Sequence, residues 1–132
     1  MIAVVAALVV GPDGRVLMVR KRGTEIFMNP GGKPESGEDA VTALRRELVE
    51  EIGLDLPEQA FAPLGLFVTD AANEPGEALH ATCFRVDLDD PDHTIGAEIV
   101  ESVWLDPMAP GLPIAPLATE HLHPLLSRPS AS

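Results

Sequence analysis

The chain contains no tyrosine, and its 132 residues include only one tryptophan and four phenylalanines. A ligand site here has few aromatic faces on which to stack a base. Cys83 is the single cysteine, so an intrachain disulfide is excluded. It falls in a strand-like apolar run, where a buried, inert thiol is expected. Basic residues are scarce: nine Lys and Arg face 21 Asp and Glu, for a net charge of −12. That balance argues against nucleic-acid binding, which needs a basic footprint, and against attraction to anionic membranes. Long apolar runs are lacking too. The opening stretch MIAVVAALVV is broken by Gly11, Pro12, Asp13 and Gly14. It is too short for a membrane span and has no basic start, so neither a membrane anchor nor a signal peptide is expected. A cytoplasmic location follows as an expectation. His80, His93, His121 and His123 show no ligand spacing, and no Glu-x-x-His pair occurs on the main helical stretch.

What is present is concentrated in residues 32–54, GKPESGEDAVTALRRELVEEIGL. Ser36 is expected to cap a helix, with Asp39 three residues on completing a Ser-x-x-Asp signal. Glu38 and Asp39 would then lie in the first turn, where the dipole favours anions. Val41, Leu44, Leu48 and Ile52 recur at helical spacing and define a buried face, and Gly53 is a natural stop. At about 100° per residue, Glu47, Glu50 and Glu51 share one arc beside that face. Three carboxylates on one arc repel, and a hard divalent cation relieves the conflict. A solvated acidic face, with Arg45 and Arg46 supplying ion pairs, is the plainer alternative.

Residues 3–10 read as a buried strand, and residues 15–20 as its hairpin partner across the Pro-Asp-Gly turn. Strands are expected at 61–69, 78–88 and 98–105. A proline-rich wrap follows at 107–116, and a short helix at 117–126 before a frayed tail. The cluster Arg20, Lys21, Arg22 stands just ahead of the acidic stretch and suggests phosphate contact, with a solvated strand end as the alternative. Asn73 and Glu74 sit on a loop that could border a pocket. No repeat or second domain is visible, so one domain over residues 1–132 is expected. Periodicity alone gives a mixed α/β or α+β chain.

Residues 32–54 match the Nudix box at Gly32, Glu38, Arg46, Glu47, Leu48, Glu50, Glu51, Gly53 and Leu54. The chain is therefore identified as resembling a Nudix hydrolase, in a short MutT-like form. The flank Phe27, Met28, Asn29, Pro30, Gly31, Gly32, Lys33 also resembles the family. The resemblance implies a mixed β-sheet sandwiched between α-helices. It implies Mg²⁺ or Mn²⁺ held by Glu47, Glu50 and Glu51, with the backbone carbonyl of Gly31 as a further ligand. Arg46 would orient a glutamate, and Glu38 and Gly53 would be structural. Glu98 is the candidate base, against a solvated loop acid. Arg20, Lys33 and Phe27 are the candidate substrate contacts, Phe27 as core or site wall. The implied reaction is hydrolysis of a diphosphate linkage in a nucleoside diphosphate derivative. A (d)NTP or oxidised-nucleotide pyrophosphohydrolase leads. A nucleotide-sugar pyrophosphatase of the ADP-ribose type, or a non-catalytic nucleotide-binding module, are the alternatives. A homodimer through the apolar first strand is permitted but not demanded.

Overall fold

A computed structural model describes residues 1–71 and 75–126. Asn73, Glu74 and the tail from residue 127 lie outside the described residues. Among those described, seven strands form one sheet. They are β1 (Ile2–Val10), β2 (Val16–Lys21), β3 (Phe27–Met28), β4 (Gly31–Gly32), β5 (Ala62–Asp70), β6 (Ala78–Asp87) and β7 (Ile99–Leu105). The spatial order is β3-β2-β1-β6-β5, with β4 also on β1 and β7 also on β2. The sheet is mixed: β1 and β6 run parallel, and the other pairs run antiparallel.

The apolar continuity of β1 follows from burial on both faces, the pattern of a strand covered above and below. Val5, Ala7 and Val9 face one core together with Leu44, Leu48 and Ile52 of the helix α1 (Ala40–Ile52). Ala6, Leu8 and Val10 face the other, with Leu117, Ala118 and Leu122. Those three belong to a wide helical turn, Leu117–Leu122, that runs into a tighter one, His123–Leu125. The sheet is thus sandwiched between helical layers, as expected. Among the described residues, no helix is long and apolar enough to cross a membrane. Cys83 is fully buried in the second core, and burial pushes its thiol up to about 12, so it is inert.

Two expectations change. The helix begins later than Ser36 suggests. Asp39 is the N-cap, and its carboxylate accepts from the Thr42 N–H at 2.9 Å. Asp39 is in extended backbone and directly precedes the apolar stripe, so its side chain is the one that reaches the first free N–H groups. Glu38 therefore stands outside the helix, and its carboxylate accepts from the Glu35 N–H instead. The buried helix face contains Ala43, Leu44, Leu48, Glu51 and Ile52, with Val41 only partly covered. β1 lies inside the sheet between β2 and β6.

The stop at Gly53 is as read. It sits at φ 68°, and the N–H groups of Gly53 and Leu54 close back on Val49 and Leu48.

Candidate active site

The acidic helix is brought to the sheet by a close approach of backbones. β4 pairs with β1 at Gly32 to Val5 and Gly31 to Ala6. Gly31 has φ 157°, and a side-chain carbon there would fall 2.0 Å from the Val5 carbonyl oxygen. A side-chain carbon on Gly32 would fall 2.6 Å from the Glu47 carboxylate. The two glycines leave room for α1 to press its glutamates against β4.

Glu47, Glu50 and Glu51 all line one cavity of about 640 Å³. Glu51 is 4% exposed. Its Oε1 accepts from the Gly31 N–H at 3.1 Å, and its Oε2 is 3.6 Å from the Lys21 ammonium. Burial pushes the Glu51 carboxyl above the usual carboxylate range. Lys21 and the Gly31 N–H pull it down, while the neighbouring Glu47 pushes it further up. Glu47 is held by Arg46 at 3.0 Å, and Glu50 lies 3.5 Å from the same guanidinium. Arg46 also makes a two-pronged pair with Glu38, at 2.8 and 2.9 Å, and donates to the Lys33 carbonyl. One arginine thereby ties the loop before the helix to the glutamate face.

The opposite wall comes from the strap before β7. The N–H groups of Thr94 and Gly96 donate to the carbonyls of Ile52 and Glu51, fixing the strap over the end of α1. The Glu98 carbonyl accepts from the Arg22 N–H. Between them Ala97 takes φ 51°, a conformation that costs energy in a residue other than glycine. This anchoring sets Glu98 on the cavity wall, together with Lys33 and Gly31.

Two expected contacts lie elsewhere. Arg20 bonds to Glu101 at 3.1 Å and to the Thr24 carbonyl at 3.0 Å, and it does not line the cavity. Phe27 is 4% exposed and sits in the second core rather than on the cavity wall. Lys21 takes the place expected of Arg20. Strand alternation carries the signal: Lys21 shares parity with Leu17 and Val19, which face α1, whereas Arg20 shares parity with Val16 and Met18. Asn29 also lines the cavity and was not singled out from the sequence.

The donor set suits a hard divalent cation, because three carboxylates and a glycine backbone offer oxygen ligands. A buried Glu51 balanced by one lysine at 3.6 Å is a carboxylate that gains from a nearby positive charge. As the side chains stand, no three acidic, histidine or cysteine groups among the described residues enclose a common point. Arg46 and Lys21 supply the countercharges that these three glutamates have.

The Glu38 contact has a consequence in acid. Hydrogen bonding from Arg46, then from the Glu35 N–H, holds the Glu38 carboxyl down at about 2 against an ordinary 4.5. A carboxyl held low in the folded chain adds stability above its unfolded pKa. That contribution fades as pH falls from about 4.5 towards about 2. Thermal melts should therefore show wild type more stable than Glu38→Gln at pH 6. The gap should close by pH 2. A pH-independent gap would contradict the pairing.

Known proteins bear on this geometry. The family model described as NUDIX domain matches residues 1–126. The RNA pyrophosphohydrolase of Halorhodospira halophila (strain DSM 244 / SL1) is 44% identical over 50 residues, 38% of this chain; the match spans only 28% of that relative's length. The solution structure of the E. coli ORF135 protein superposes with a TM-score of 0.70 at 26% identity, covering 100% of this chain and 95% of that one. The MutT protein from Methanosarcina mazei Go1 has a TM-score of 0.75, covering 96% and 93% at 20% identity, a likeness of fold.

Proposed function

Because the chain belongs to the Nudix family, whose hydrolases generally use a divalent metal, we propose that it is a metal-dependent pyrophosphohydrolase. Its substrates are nucleoside diphosphate derivatives, and (d)NTPs or oxidised nucleotides lead. The observation that carries this reading is the placement of Glu47, Glu50 and Glu51 on one cavity wall with Lys21, Lys33 and Glu98 around them. The Halorhodospira halophila relative is an RNA pyrophosphohydrolase, which supports cleavage of a diphosphate linkage here.

Glu47, Glu50, Glu51 and the Gly31 backbone would hold Mg²⁺ or Mn²⁺, which when bound neutralises the diphosphate and polarises phosphorus. This chain's own groups do the rest. Arg46 orients Glu47 while bound to Glu38, so the carboxylate keeps one position. Lys33 and Lys21 supply positive charge to the phosphates in a strongly acidic molecule. Glu98 accepts the proton of the attacking water. Glu50, more open than its neighbours, is the most accessible of the three helix carboxylates.

Phosphate and pyrophosphate release should be measured from (d)NTPs, 8-oxo-dGTP, ADP-ribose and other nucleotide sugars, with Mg²⁺, with Mn²⁺ and with EDTA. Turnover of one class with metal, abolished by EDTA, is expected. Absence of turnover across the panel with metal present would contradict the reading, and preference for ADP-ribose would move it to the nucleotide-sugar subclass.

A further inference from the structure

The cavity has two chemically different ends. The charged end is made by α1, Lys21, Lys33 and Glu98. The other end is mainly apolar: Ile2 and Val4 of β1, Leu79 of β6, and Pro116 with Leu117 of the C-terminal segment, with the exposed Asp70 of β5 beside Leu79. This second end exceeds what a diphosphate needs, and its lining is that of a small-molecule chamber.

One polar residue stands in the wall without a structural task. Asn29 is 6% exposed and directly precedes the Pro30–Gly31 approach to β1. Its Nδ2 has only the Met18 sulfur, at 3.5 Å, and its Oδ1 has no hydrogen-bond partner among the described residues. Turning the amide over does not remove the problem, because only one of its two ends reaches the sulfur. A buried amide with one end unpaired is destabilising, and an apolar side chain would fill the same space without that cost. The sulfur contact is weak and Asn χ2 is broad, so the amide can turn towards the cavity.

We infer that Asn29 is a specificity residue, reading the donor–acceptor edge of a nucleobase held in the apolar end of the cavity. Oδ1 accepts from a base amine or ring N–H, and Nδ2 donates to the adjacent ring nitrogen or carbonyl. An asparagine amide pairs in this two-point way with adenine, for example. The lining includes no aromatic residue, so base selection rests on this edge rather than on stacking. The inference rests on the nucleotide reading above, and it does not require turnover.

Equilibrium binding of AMP, GMP, CMP and UMP by calorimetry tests it. Wild type should bind one of the four at least about tenfold more tightly than the weakest, because a site built to pair with a base edge rejects an edge that leaves its amide unpaired. In Asn29→Leu that spread should shrink at least about tenfold. In Met18→Leu, which removes the sulfur contact and keeps the amide, the ranking should persist; this variant also covers the case of an Asn29→Leu chain that fails to fold. Undetectable or equal binding of all four by wild type overturns the inference. So does an unchanged spread in folded Asn29→Leu, or a lost ranking in folded Met18→Leu. Base-selective binding by a wild type that hydrolyses no nucleotide would support Asn29 and sink the hydrolase reading, so the two fail separately.

Discussion

Glu50→Gln should lower metal-dependent turnover by about 10²–10³-fold while leaving the melting temperature nearly unchanged. The substitution keeps the shape of the side chain and removes one negative charge from the cavity. A metal's contribution to stabilising transition-state charge is several kcal/mol, and each 1.36 kcal/mol is tenfold in rate. Losing one of three carboxylates forfeits a share of that. The stability side is different. The Glu50 side chain is about half exposed and lies 3.5 Å from Arg46, a guanidinium already engaged by Glu38 and Glu47. Surface substitutions of this kind usually fall within about 0.5 kcal/mol. Relieving repulsion among the glutamates offsets part of even that. A folded Glu50→Gln protein with wild-type turnover would remove Glu50 from the site.

Gly31→Ala should be the most damaging glycine-to-alanine change in the molecule. The added carbon would sit 2.0 Å from the Val5 carbonyl oxygen and 2.8 Å from the Ala6 Cα, both backbone atoms of β1. Neither can rotate away, so the β4 pairing must open. Gly31 is also at φ 157°, where side chains are strained. The Gly31 N–H is a hydrogen-bond donor to the buried Glu51 carboxylate, and moving β4 leaves that group short of a partner. Strained backbone alone costs about 1–3 kcal/mol, and a lost bond to a buried charge adds about as much. A fall in melting temperature of roughly 10 °C or more is expected. A melt within 2 °C of wild type, roughly the effect of half a kcal/mol, would show that β4 does not press on β1 as described. Gly37→Ala is the contrast: it has a positive φ too, but a side-chain carbon there meets nothing within 4 Å.

The sequence carried the core of the site because chemistry there is written in consecutive residues. Glu47, Glu50 and Glu51 needed only the helical period to share an arc, and the structure sets all three on one cavity. The strands at 62–70, 78–87 and 99–105 were also legible, since alternation and turn residues mark them directly. Partners were not legible. That β6 runs parallel beside β1, and that β7 returns to β2, depends on which apolar surfaces meet across long separations, and periodicity reports only how many faces are covered. The two-residue strands β3 and β4 are too short to show any period. The helix start shifted because Ser36 and Asp39 are both good caps, and the choice between them depends on where the chain leaves the Gly37 turn. Arg20 was favoured by the resemblance, because similar positions in the family often face substrate. Parity along β2 sends Arg20 to Glu101 and Lys21 to Glu51. Asn29 escaped notice because one buried amide between Met28 and Pro30 has no pattern; only its unpaired atom in the folded chain marks it.

The central claim is that the glutamate arc of α1 holds a divalent cation. Titration of metal-free protein with Mn²⁺, followed by electron paramagnetic resonance, tests it without reference to any substrate. Wild type should bind Mn²⁺ in a form displaced by Mg²⁺, and the folded Glu47→Gln, Glu50→Gln double variant should lose that binding by at least about tenfold, in keeping with the loss of two hard oxygen ligands. Equal Mn²⁺ affinity in the two proteins would mean that the acidic face is only a solvated surface.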